Sequence, residues 1–205
     1  MRGAIFDLGG VAVEWSNETT YRHIQERYGI LAEDFRREAE KCMPNVQTGN
    51  ESEEHWITNI FRYFGLQGSS DVWGKTFEAS RYNEKVIDIV QRLRRNGYRV
   101  AALSNLEPSR ARWLRSHEID TLFDHVVFSC EVGMRKPDLQ PGGKQDLKIY
   151  TLTLQRLGLE TRDCIFIDDS VNCVNAAESS GMRGIRFIDA NRLDAELRRL
   201  GFKMD

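Results

Sequence analysis

The sequence predicts an α/β protein, a parallel sheet with helices on its faces that is interrupted early by a helical insertion. Three observations carry this. A strand-like apolar run ends at Asp7 and is followed at once by the glycines Gly9 and Gly10. From Tyr98 onward, short apolar runs alternate with stretches of helical periodicity, the rhythm of strand–helix units that build parallel sheets. Between residue 14 and about residue 82 that rhythm is missing, and only helical patterns occur.

The elements follow in order. After Val13 the strand pattern stops, and Asn17 is placed to cap a helix with Tyr21, Ile24 and Tyr28 on one face and Gly29 as its stop. Leu31, Phe35, Ala39 and Cys42 recur at near-fourfold spacing and predict a second helix. Asn50 with Glu53 three residues later predicts a capping box ahead of Trp56, Ile57, Ile60, Phe61 and Phe64, closed by Gly65. Asp71 to Ala79 predicts a shorter helix with Val72, Trp73 and Phe77 inward, and Asn83 caps the next, which Gly97 ends. Strands are predicted at Tyr98 to Leu103, Val126 to Ser129, Cys164 to Ile167 and Gly184 to Ile188. Helices are predicted between and after them at Ser109 to Ser116, Leu147 to Leu157, Val171 to Ser180 and Arg192 to Leu200. The resulting division is a core of residues 1–13 and 83–205 and a helical insertion of residues 14–82 standing over the sheet edge.

A formal net charge of −2 argues against a broad surface for nucleic acid or anionic membrane, which needs a clear excess of Lys and Arg. No stretch approaches the roughly 20 apolar residues of a membrane span, and the N-terminus begins a strand instead of a targeting signal, so a cytoplasmic protein is expected. Cys42, Cys130, Cys164 and Cys173 are scattered without a CxxC pair and are expected to be buried thiols. The four histidines show no metal-ligand spacing. The sequence leaves the oligomeric state open.

Strands of a parallel sheet share a direction, so Asp7, Ser104-Asn105, the segment leading to Lys136, and Asp168-Asp169 fall on one edge, where open α/β folds bind ligands. Three carboxylates at close range disfavour joint ionisation unless a cation intervenes. Oxygen-only ligands suit Mg²⁺, which keeps waters and substrate phosphate oxygens beside one or two carboxylates. Ser104 offers a hydroxyl and Asn105 a backbone N–H at a strand-to-helix turn, donors suited to phosphate. Lys136 adds a positive point charge. Together these describe a phosphoryl site with an aspartate able to accept the group covalently.

Phe6-Asp7-Leu8-Gly9-Gly10-Val11, Leu103-Ser104-Asn105, Gly133-Met134-Arg135-Lys136-Pro137-Asp138 and Phe166-Ile167-Asp168-Asp169-Ser170 closely resemble, in order, the four motifs of the haloacid dehalogenase superfamily. Asn175-Ala176-Ala177 and Ser180-Gly181-Met182 continue the likeness, which spans essentially the whole chain. The resemblance implies a Rossmann-like, doubly wound core with an inserted α-helical cap. It also implies Mg²⁺-dependent hydrolysis of a small phosphorylated metabolite, such as a sugar phosphate, through an aspartyl-phosphate. Carried onto this chain, it makes Asp7 the nucleophile and Ser104 and Asn105 the phosphate-binding turn, with Gly9 and Gly10 beside the substrate. Lys136 becomes the counter-charge. Asp7, the Gly9 carbonyl, Asp169 and the supporting Asp168 become the metal shell.

Two positions depart from the superfamily pattern. Gly9 stands where its phosphatases carry a second aspartate that protonates the leaving group and then activates water. Such acid–base catalysis contributes typically about 10²–10⁴-fold. Cys173 stands where a second metal-shell Asp or Asn is common, and a thiol is a poor partner for Mg²⁺. These departures imply slow turnover, or turnover limited to good leaving groups such as an anomeric phosphate. They also motivate two alternatives: a dehalogenase acting on 2-haloacids, whose halide needs no proton, and a binding or regulatory protein that has lost catalysis. Residues 139–148 carry an insertion, with a Pro141-Gly142-Gly143 loop and Lys144, that is either a surface loop or a flap over the site. Glu14 and Trp15 either pack or face the substrate, and Arg110, Arg112 and Arg115 are expected on a solvated helix face.

Overall fold

Because every strand of the main sheet points the same way, the polar residues at their carboxyl ends are gathered on one edge. The computed structural model describes residues 2–15, 17–67, 72, 74–137 and 147–205. The features expected at Asp71, Trp73, Asp138 and residues 139–146, Lys144 included, lie outside the described residues.

Along the chain, β1 (Gly3–Phe6) and β2 (Val13–Glu14) precede the helices α1 (Asn17–Tyr28), α2 (Ala32–Gln47), α3 (Glu53–Tyr63) and α4 (Gly74–Ala79). The path continues through β3 (Arg81–Tyr82), α5 (Glu84–Arg95), β4 (Arg99–Ser104), α6 (Pro108–Ser116), α7 (Ile119–Leu122) and β5 (His125–Phe128). It ends with α8 (Ser129–Val132), α9 (Lys148–Leu157), β6 (Cys164–Asp168), α10 (Val171–Ser179), β7 (Arg183–Arg186) and α11 (Ala190–Arg199). The sheet order is β5–β4–β1–β6–β7, a Rossmann-like doubly wound arrangement with β1 at its centre. The strand sequence reverses beside β1, and such reversals open a crevice at the carboxyl ends of the strands.

The period of two along β1 explains the layering. Ala4 and Phe6 face the side covered by α5, α6 and α11, while Ile5 faces α9 and α10. The same alternation recurs in β6, with Ile165 and Ile167 on one side and Phe166 on the other. All these side chains are fully buried, which is why the strands read as continuous apolar runs. No helix among the described residues is long and apolar enough to cross a membrane.

The helices α1 to α3 hold an apolar cluster of their own, with Tyr21, Ile24, Phe35, Ala39, Trp56, Ile60 and Phe61 at its centre. Two antiparallel residue pairs, Val13 with Tyr82 and Glu14 with Arg81, tie together the segments that enter and leave this helical region.

Several local expectations are corrected. Ser52, not Asn50, caps α3, accepting from His55 N at 3.1 Å. Asn50 instead donates to Thr48 Oγ1 at 2.9 Å, and the Glu53 carboxylate accepts from Ser109 N at 2.9 Å, across to α6. Leu31 precedes α2 and is largely exposed, so the inward face of that helix begins at Phe35. Cys42 and Cys130 are only half-buried, unlike Cys164 and Cys173. Arg110 is 5% exposed, in contrast to the solvated face expected of it.

Trp56 is 1% exposed, and its Nε1–H donates to Ala39 O at 3.3 Å. Trp56→Ala is expected to cost about 3–5 kcal/mol locally. Hydrogen exchange should register the loss in α1 to α3 while amides of the main sheet keep their protection, because the two clusters share no central residue.

Candidate active site

The loop after β1 turns back on itself. Asp7 N donates to Ile167 O at 2.8 Å, continuing the β1–β6 ladder by one residue. Val13 N and Val11 N then both return to Leu8 O, at 2.7 and 3.1 Å. Gly10 has a φ of +74°, and a Cβ there would fall 2.6 Å from Asp169 Oδ2. Glycine is therefore required twice over, by the backbone and by the carboxylate pressed against it.

Lys136 is 3% exposed and places its Nζ 2.7 Å from Asp7 Oδ1 and 2.6 Å from Asp168 Oδ2. Burial opposes its charge, but the two aspartates outweigh burial and raise its pKa, so the side chain is an ammonium. Ser104 Oγ donates to the same Asp7 Oδ1 at 2.9 Å. Asp168 Oδ1 accepts from Ser170 N at 2.8 Å, so each oxygen of that carboxylate has a hydrogen-bond partner. Asn105 reaches the lysine from the β4 end. Its Oδ1 accepts from Lys136 N at 2.7 Å and its Nδ2 donates to Lys136 O at 3.0 Å. Side-chain amide and backbone amide thus lock each other, and the segment carrying Lys136 is fixed to β4 without regular secondary structure.

Asp7, Asp168 and Asp169 each present an oxygen within 4.8 Å of the others. Burial raises the pKa of Asp168 and Asp169, and the Asp7 charge adds to both, while Lys136 opposes the rise. A single ammonium against three carboxylates leaves net negative charge in a set of oxygen donors. That donor chemistry fits a small hard cation such as Mg²⁺.

A cleft of about 500 Å³ opens over this cluster. Asp7, Gly9, Gly10, Ser104, Asn105, Lys136, Asp168 and Asp169 all lie on its wall, so these eight residues meet in one place. Sequence reasoning missed its other half. Glu40, Met43 and Gln47 of α2 line it, at i, i+3 and i+7 spacing, with Asn17 and Tyr21 of α1. In sequence that stripe has the spacing of any helix face, and only the tertiary fold brings it over the cleft. Gln47 Oε1 is buried and has no hydrogen-bond partner among the described residues. Glu107 and Arg110 were also missed. Both are buried, with Arg110 Nε 2.6 Å from Glu107 Oε1, and Arg110 donates a short hydrogen bond to Asn17 Oδ1. Burial raises the Glu107 pKa, and Arg110 works against that rise. Trp15 lines the cleft, half-buried, whereas Glu14 is exposed and paired with Arg81 at 2.7 Å.

Known proteins place this chain. A 26% identical relative, over 97% of this chain and 96% of its own length, is the sesquiterpene phosphatase astK of Aspergillus oryzae. A phosphorylated carbohydrates phosphatase of Thermotoga maritima is 25% identical over 90% of this chain and 84% of its own. The pig bifunctional epoxide hydrolase 2 is 25% identical, but this chain spans only 39% of its length. Among solved structures, a haloacid dehalogenase-like family hydrolase from Porphyromonas gingivalis superposes with a TM-score of 0.77 at 24% identity, over 97% of this chain and 98% of that one. A haloacid dehalogenase-family enzyme from Bacteroides thetaiotaomicron, solved with magnesium and inorganic phosphate, gives 0.74 at 18% identity, over 94% and 98%. The sequence model of the haloacid dehalogenase-like hydrolases matches residues 1–181, and the chain belongs to that family of hydrolases.

Proposed function

We propose that the protein is a Mg²⁺-dependent phosphatase that hydrolyses a small phosphorylated metabolite through an aspartyl-phosphate on Asp7. The observation that carries this reading is the state of Asp7 itself. Its Oδ1 is held by Lys136 Nζ at 2.7 Å and by Ser104 Oγ at 2.9 Å, at the floor of the cleft. Among the described residues Oδ2 has no such partner, and it is the atom that attacks phosphorus. The names of the Aspergillus and Thermotoga relatives agree with phosphoester hydrolysis.

Each residue then has one task. Lys136 holds Asp7 Oδ1 and faces the negative charge of the phosphoryl group, a preorganised electrostatic contribution. Ser104 and the Asn105 turn position the phosphoryl oxygens. Asp7, the Gly9 carbonyl, Asp169 and the supporting Asp168 would hold Mg²⁺, which when bound neutralises phosphoryl charge. Residues 14–82 act as a cap over a core of residues 1–13 and 83–205, and the α2 face with Tyr21 and Asn17 selects the leaving group. A water molecule then hydrolyses the aspartyl-phosphate and frees Asp7.

Asp7→Asn should lower turnover of an aryl phosphate by more than about 10³-fold while leaving the fold intact by circular dichroism. Activity within tenfold of the parent protein would remove Asp7 from the reaction. Treatment with EDTA should abolish hydrolysis, and added Mg²⁺ should restore it; hydrolysis that continues in excess chelator contradicts the metal assignment. Gly10→Ala forces a Cβ against Asp169 at a left-handed φ, so it should lower kcat by about 10²-fold and weaken Mg²⁺ binding in a calorimetric titration.

A further inference from the structure

Residue 9 carries no side chain, and the space one would need is filled. A Cβ on Gly9 would stand 3.0 Å from both Nε1 and Cζ2 of Trp15 and 3.2 Å from Cε2, so the N–H edge of the indole lies directly over the nucleophile loop. Trp15 also packs against Arg110. The guanidinium of Arg110 sits 4.8 Å from its ring centroid, and Arg110 is itself fixed by Glu107 and Asn17. Among the described residues the indole N–H has no hydrogen-bond acceptor, although Trp15 lines the cleft. This donor is packed against Gly9, two residues along the chain from Asp7, on the wall of the cleft.

We propose that Trp15 Nε1–H is a catalytic hydrogen-bond donor to the leaving-group oxygen. This deepens the hydrolase reading above and rests on it. As Asp7 Oδ2 forms its bond to phosphorus, the bond from phosphorus to the leaving oxygen breaks and that oxygen keeps the electron pair. The indole N–H stabilises the growing negative charge without giving up its proton, because an indole is far too weak an acid. The leaving group departs as an anion and takes a proton from solvent water afterwards. The substrates are therefore phosphates of relatively acidic hydroxyls, phenolic or anomeric, and simple alkyl phosphates are excluded.

The test is the dependence of kcat/KM on leaving group, a quantity that reports steps up to formation of the aspartyl-phosphate. Trp15→Phe keeps a ring and removes the donor. Phenyl phosphate, with the more basic leaving oxygen, should lose about 10-fold or more, and 4-nitrophenyl phosphate less than about 3-fold. Loss by one common factor for both esters, or no loss, overturns the role of Trp15. A second readout needs no stable Trp15 variant. In Asp7→Asn, which binds without turnover, phenyl phosphate should move an indole N–H proton resonance downfield, and an unmoved set of indole signals overturns the contact. Either result in an active enzyme leaves the role of Asp7 standing. Parent protein inert toward every phosphate ester removes the hydrolase reading, and this inference with it.

Discussion

The ammonium of Lys136, buried between Asp7 and Asp168, is the interaction on which the rest of the site depends. A buried lysine survives only with its charge matched, and removing one partner of such a pair typically costs about 3–5 kcal/mol because the other is left uncompensated. The central strands supply this match. Asp7 directly follows β1, Asp168 ends β6, and these strands are neighbours in register, with Phe6 opposite Ile167. Lys136 comes from a segment without regular structure, so Asn105 must hold it by a reciprocal pair of hydrogen bonds. The sheet positions the acids, and a side-chain amide positions the ammonium.

The cap is joined to the core through the start of α6, close to the same charges. Glu53 of α3 accepts from Ser109 N in the first turn of α6, where a carboxylate is favoured by the helix dipole. Arg110, one residue on, bonds Asn17 at the start of α1 and stacks over Trp15. Gln47 Nε2 reaches Asn105 O at 3.5 Å. The side chains that join residues 14–82 to α6 and Asn105 therefore lie beside the residues that line the cleft.

The fold was largely legible in the sequence because its strands are buried on both faces. Runs such as Val100 to Leu103 and Cys164 to Ile167 have no solvent-facing residue to blur the pattern, and each is terminated by a polar residue on the same edge. Errors fell where local and distant partners compete. The spacing of Glu53 from Asn50 fits a capping box, but a helix terminus 56 residues away claims its carboxylate. Arg110 looked solvated because its helix carries Arg112 and Arg115 as well, and only the packed cap distinguishes the buried one.

The sequence alone determined the α/β class and the order in which acidic, hydroxyl and basic residues reach the edge of the sheet. Those properties follow from periodicity and strand direction, which are local. The tertiary structure decided what surrounds Asp7. It brought the Glu40, Met43 and Gln47 face over the cleft, buried Glu107 with Arg110, and laid the Trp15 indole in the space that Gly9 leaves empty. None of these has a signature in spacing, because each depends on how the cap docks on the core, and docking is set by side chains that meet only after both have folded.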